Sequence, residues 1–126
     1  MKARLAFCLA AVLAAGVASG HAADARQEAR AYVSFGIEMA QRGLWREALF
    51  RWQRAVEIDP TYAEAFNNLA IGYEHAGELG EARKAYEKAL ALAPNDPQIR
   101  QNYELFMEIN ERAVPSRGPQ SAAATP

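Results

Sequence analysis

The chain contains a single cysteine, Cys8, near its N-terminus. One thiol cannot close a disulfide within the chain, and thiolate metal sites need several. Only two histidines occur, His21 and His75, far apart in sequence. His75 follows Glu74 on a predicted helix and reads as a solvated residue. No CxxCH motif, glycine-rich phosphate loop or serine in a nucleophile-elbow context is present. No stretch alternates as a strand would. No charge of one sign dominates: 14 basic residues stand against 15 acidic ones, for a net charge of −1. A nucleic-acid surface would need a basic patch, and none is visible. These absences remove the usual constellations of catalysis. The sequence predicts no enzyme, no cofactor, no metal and no nucleic-acid partner.

The N-terminus has a three-part layout. Lys2 and Arg4 form a short basic start, residues 5–18 are an unbroken apolar and small run, and Ser19, Gly20, Ala22 and Ala23 are small. This is the pattern of a secretory signal peptide, here residues 1–23. Gly20 and Ala22 make the better small-x-small pair for cleavage. The apolar run is shorter than the roughly 20 residues that span a bilayer, so no stable membrane span is expected in the mature chain. An uncleaved anchor is the competing reading. Export, to the periplasm of a bacterium, is the localisation this segment implies. Loss of Lys2 and Arg4 leaves 12 basic and 15 acidic residues, a net charge near −3. Cys8 leaves too, and the mature domain must then hold together by packing alone. At the other end, VPSRGPQSAAATP from Val114 is rich in proline and small or polar residues. Residues 114–126 are expected to be a flexible tail. The folded part is thus 24–113.

Within it the chain repeats. GLWREALFRWQRAVEIDP begins at Gly43 and GELGEARKAYEKALALAP begins at Gly77, 34 residues later. The register extends upstream. Tyr32, Phe35, Gly36, Met39, Gly43, Trp45, Ala48, Trp52, Ala55 and Pro60 correspond to Phe66, Leu69, Ala70, Tyr73, Gly77, Leu79, Ala82, Tyr86, Ala89 and Pro94. The spacing of Tyr32, Phe35, Gly36 and Met39 is one face of a helix. Gly43 and Gly77 stand where that helix must stop and turn. Pro60 and Pro94 end the helix that follows. Small residues at Gly36 and Ala70 are expected opposite Ala48 and Ala82, where two helices approach closely.

This pattern resembles the tetratricopeptide repeat, with repeats at 29–62 and 63–96. The resemblance implies an all-α fold, a right-handed superhelical α-solenoid of two helical hairpins. Residues 97–112 continue the register as a capping helix. Asp96 is its expected N-cap and Pro97 its first residue. Ile99, Tyr103, Phe106 and Met107 form its inward face. Its small position is taken by Glu104, which would block a further helix; terminal repeats act as such caps. About three repeats are usually needed for stability, so two and a half predict burial against a partner or a second copy.

The resemblance also implies a concave groove lined by the first helices. There Ile37, Ile71 and Leu105 form an aliphatic row, and Ser34, Asn68 and Asn102 a polar one, with Asn67 and Gln101 beside it. Amides donate and accept hydrogen bonds, as an extended peptide backbone requires. The expected function is an exported adaptor that binds a peptide or partner protein there. A self-associating structural subunit of a cell-envelope assembly is the alternative. Family members that clamp a terminal carboxylate use lysine, arginine and asparagine on these helices. Of those positions only Asn68 matches, because Val33, Ile37, Gln98 and Asn102 occupy the others. A carboxylate clamp is therefore not expected. Leu49 and Phe50, and likewise Leu105 and Ile109, are apolar residues in excess of one narrow face, as at an interaction surface.

Overall fold

A computed structural model describes residues 2–113, with side chains at 19–110 and Arg112. The tail assigned to 114–126 lies outside the described residues. Helices α1 (Lys2–Gln41), α2 (Trp45–Ile58), α3 (Ala63–His75), α4 (Leu79–Leu92) and α5 (Pro97–Ala113) follow one another, and no strand occurs among the described residues. Helix α1 is continuous through Ala22 and Ala23, so residues 2–23, expected to belong to a leader, and the start of the first repeat share one helix. α1 pairs with α2 and α3 with α4; α3 also touches α1 and α2, and α5 rests on α4 and α3. The result is an α-solenoid of two hairpins closed by a single helix.

The two hairpin turns are built alike. Gly43 has φ 78° and Gly77 φ 74°, the left-handed region that glycine enters without strain. Leu44 N–H bonds Met39 C=O at 2.9 Å, and Glu78 N–H bonds Tyr73 C=O at 2.9 Å. These 6→1 bonds satisfy carbonyls left open at the ends of α1 and α3. The two inter-repeat links differ. After α2, Asp59 accepts from Thr61 N–H at 3.0 Å and Thr61 Oγ1 at 2.6 Å, and Arg26 of α1 closes onto its other oxygen. Burial opposes ionisation of Asp59, but the bonds from Arg26 and Thr61 outweigh it and hold the carboxyl below its usual range. Arg26 also lies 4.7 Å over the Tyr62 ring. After α4, Asp96 Oδ1 accepts from Gln98 N–H at 2.9 Å and Ile99 N–H at 3.1 Å, capping α5 as the sequence predicts.

Buried alanines let the helices approach: Ala29, Ala48, Ala55, Ala65, Ala70, Ala82 and Ala89 are fully covered. Three large side chains fill the space between them, Trp52, Tyr86 and Phe106. Trp52 is wedged across three helices. Its indole N–H donates to Val33 C=O at 3.2 Å. The space a Cβ would need at Gly36 is taken by the indole, with Cδ1 at 2.7 Å and Cε2 at 2.8 Å. On the other side a Cβ at Gly72 would stand 3.0 Å from Trp52 Cε3. Gly36 is therefore small to admit Trp52, a constraint that the expected pairing with Ala48 leaves out. Tyr86 packs on Phe106 and Tyr103 with ring centroids 5.4 and 5.7 Å apart, and this cluster seats α5. Burial and a bond to Glu74 push the Tyr86 hydroxyl far above its ordinary pKa.

Two expectations about the apolar pattern change. Phe35 is 39% exposed, whereas its counterpart Leu69 is buried. Among the described residues no earlier repeat covers Phe35. Arg51 covers the ring instead, with its guanidinium 4.7 Å from the centroid of Phe35. Leu79 of the repeat pattern is likewise exposed. His75 is exposed, as expected, and its ring also stacks on Trp45 at a centroid distance of 3.3 Å. The suspected excess divides cleanly, since Leu49 is half-buried while Phe50, Leu105 and Ile109 are exposed.

Candidate functional site

The first helices of the three units, α1, α3 and α5, present one continuous depression with two adjoining pockets. The first, about 280 Å³, is lined by Ile37 of α1, by Glu64, Asn67, Asn68 and Ile71 of α3, and by Asp96, Gln98 and Ile99 at the start of α5. The second, about 300 Å³, is lined by Ile37, Ala40 and Gln41 of α1, Trp45 and Trp52 of α2, and Asn68 and Ile71. The shared walls are Ile37, Asn68 and Ile71. Ile37 and Ile71 are 34 residues apart, so stacking aligns their helix faces, and Asn68 stands one turn before Ile71 on α3.

Of the eight expected groove residues, four line this depression: Ile37, Asn67, Asn68 and Ile71. Asn102 reaches it indirectly. Its Nδ2 donates to Asn67 Oδ1 at 3.1 Å, tying α5 to α3. Asn67 is 5% exposed, so this bond satisfies a buried carbonyl. Asn68 Nδ2 donates to the Glu64 carbonyl at 2.9 Å, one turn back on its own helix. Its Oδ1 remains available as an acceptor. Ser34 and Gln101 are exposed, and Leu105 is 54% exposed; none of them lines either pocket. Beyond the expected rows, Glu64, Asp96, Gln98, Ile99, Ala40 and Trp45 also line the site. Glu64 lies one turn before Asn68, which was the available signal for it. Asp96 and Gln98 belong to the link and cap, and only the stacking of α5 on α3 brings them to the groove.

The depression combines aliphatic walls with amide and carboxylate side chains. Among the described residues no group of three histidine, cysteine, aspartate or glutamate side chains could hold a metal. Nor is any described helix long and apolar enough to cross a membrane.

The repeated hairpins, matched glycine turns and shared groove define a class of helical-repeat scaffold, and the chain belongs to the tetratricopeptide repeat family. The model of that repeat matches residues 63–96, the second hairpin and its link. The type IV pilus assembly protein PilF of Pseudomonas aeruginosa is 34% identical over 118 residues, covering 89% of this chain and 47% of that one. A solved structure of P. aeruginosa PilF superposes with a TM-score of 0.64 at 35% identity, over 69% of this chain and 40% of that one. The photosystem I assembly protein Ycf3 of Synechococcus is 31% identical over 100 residues, 77% of this chain and 58% of that one. The crystal structure of MamA superposes with a TM-score of 0.61 at 28% identity, over 68% of this chain and 50% of that one. The chain thus spans about half the length of PilF and Ycf3. The repeat of this family is a protein-interaction module, and that is the class of function the chain carries.

Proposed function

We propose that this chain is an exported adaptor that binds an extended segment of a partner protein in the groove formed by α1, α3 and α5. The observation that carries the reading is the pair of adjoining pockets walled by Ile37, Asn68 and Ile71. The open Oδ1 of Asn68 and the amide of Gln98 suit a peptide backbone, and the aliphatic walls suit its side chains. Export is supported by the layout of residues 1–23, and a role in assembly by the name of the relative, a type IV pilus assembly protein. The groove is tested with Asn68→Ala combined with Gln98→Ala, which leaves the Asn67–Asn102 bond in place. Partner capture by cross-linking in the native host should fall at least tenfold, with the helical circular dichroism unchanged. Undiminished capture would remove the groove from the mechanism. N-terminal sequencing of the exported product tests cleavage near Ala22.

A second reading, self-association, is favoured by the exposed Leu79, Leu105 and Ile109 toward the C-terminal end of the stack. It requires a dimer or larger species in light scattering of the purified chain, abolished by Leu105→Glu with Ile109→Glu.

A further inference from the structure

We infer that the segment this groove takes carries a basic residue two positions from an apolar one; this rests on the groove reading above and adds the sign and spacing of the ligand's side chains. The two pockets differ in chemistry although they share a wall. The first contains two carboxylates, Glu64 and Asp96, and no lysine, arginine or histidine lines it. Each carboxylate is only half used. Glu64 Oε2 accepts from the Tyr62 hydroxyl at 2.6 Å, and Asp96 Oδ1 accepts the two backbone bonds that cap α5. Their other oxygens receive no described hydrogen bond, and neither group belongs to a described ion pair. Two cations lie outside this lining: Arg30 approaches the same Tyr62 hydroxyl that Glu64 accepts from, and Arg100 donates to the Pro94 carbonyl at 2.7 Å. Asn67 lines the same pocket while 5% exposed. Its Oδ1 is taken by Asn102, and its amide N–H groups donate to no described partner.

The second pocket has no charged residue at all. Ile37, Ala40, Trp45, Trp52 and Ile71 make it apolar, with Gln41 and Asn68 at its edge. A basic head group placed between Glu64 and Asp96 gains charge-assisted hydrogen bonds. An aliphatic or aromatic side chain fills the neighbouring pocket. In an extended chain, alternate side chains point to the same side, so the two residues stand at i and i+2. An acidic segment would instead meet two carboxylates in a pocket that no cation lines, and like charges brought together repel. This is the reverse of a carboxylate clamp, in agreement with the missing cations at Val33, Ile37, Gln98 and Asn102.

The test is selection from a random peptide phage library against the full chain, counter-selected against Asn68→Ala with Gln98→Ala. Groove-dependent peptides should be enriched in Lys or Arg two positions from Leu, Ile, Met or Phe. The best such peptide, made synthetically and followed by fluorescence polarisation, should bind about tenfold more weakly to Glu64→Gln and to Asp96→Asn, the scale of one charge-assisted bond. Asparagine is as good an N-cap as aspartate, and glutamine still accepts from Tyr62, so neither change should alter the fold. Groove-dependent peptides that are neutral or acidic, or that bind both variants unchanged, would overturn the inference while leaving the groove intact. Failure to enrich any groove-dependent peptide would overturn both this inference and the groove itself.

Discussion

Alanine in place of glycine within a helix ordinarily stabilises, and at Gly36 it should do the reverse. The new methyl group would meet the Trp52 indole, with Cδ1 at 2.7 Å and Cε2 at 2.8 Å, and also Nε1. These are atoms of a rigid ring, held by the bond to Val33 and hemmed in on the far side by Gly72. Overpacking of this kind costs about 1–3 kcal/mol. Displacing the indole also leaves a buried N–H donor unpaired, at about 1–3 kcal/mol. Against this, alanine gains about 1 kcal/mol of helix propensity. The net expectation is destabilisation by about 2 kcal/mol. Gly80 is the internal control. It lies in the first turn of α4, and a Cβ there meets nothing within 4 Å. Gly80→Ala should therefore stabilise, by about 0.5 kcal/mol. Urea unfolding followed by circular dichroism and tryptophan emission measures both. With m near 1–2 kcal/mol/M, Gly36→Ala should lower the midpoint by about 1–2 M, while Gly80→Ala raises it slightly. Two observations would refute the reasoning: a Gly36→Ala midpoint equal to or above the parent, or an unchanged Trp52 environment. Either would mean that the slot between Gly36 and Gly72 does not hold the indole.

Two further perturbations address the links. Asp96→Ala should cost about 1 kcal/mol and fray α5, whereas Asp96→Asn should be nearly neutral; amide hydrogen exchange in α5 is the readout, and equal protection in both variants would refute the cap. Asp59, with its carboxyl depressed, should stabilise the fold at every pH above its unfolded value near 3.9, and that contribution should be lost as pH falls through the lower folded value. Acid unfolding of Asp59→Asn should accordingly show a weaker pH dependence below pH 4 than the parent, and matching profiles would exclude the Arg26–Asp59 pair as a source of acid sensitivity.

What could be read from the chain was what is periodic or local. The 34-residue register located both hairpins, because each repeat must present the same face to its neighbours. The turns at Gly43 and Gly77 and the cap at Asp96 follow from rules confined to a few residues, and all three have the expected geometry. The departures arise where helices meet across repeats. Phe35 and Leu69 occupy equivalent positions, yet among the described residues only Leu69 has a preceding repeat to cover it. The Trp45–His75 stack joins two repeats through residues that carry no common register signal. The groove shows the same division. Ile37, Asn68 and Ile71 were legible as periodic rows, whereas Asp96 and Gln98 enter it through the placement of α5. Asn102 shares the polar row but turns to Asn67, whose buried carbonyl oxygen takes its N–H.

Glu104 has a consequence for how such a chain can lengthen. Its equivalents are Gly36, which admits the indole of Trp52, and the fully buried Ala70, but Glu104 itself is exposed on α5. A hairpin partner added after α5 would press on this carboxylate and bury it without a counter-ion, a cost of several kcal/mol. Duplication at the C-terminal end is therefore a dead end unless Glu104 changes in the same event. Duplication of residues 63–96 within the array meets no such barrier, because each new hairpin would bring its own alanine and tyrosine and the terminal helix would still close the stack. A variant with residues 63–96 duplicated should therefore fold with α5 still in place, whereas one with a hairpin partner appended after α5 should fold only once Glu104 is replaced.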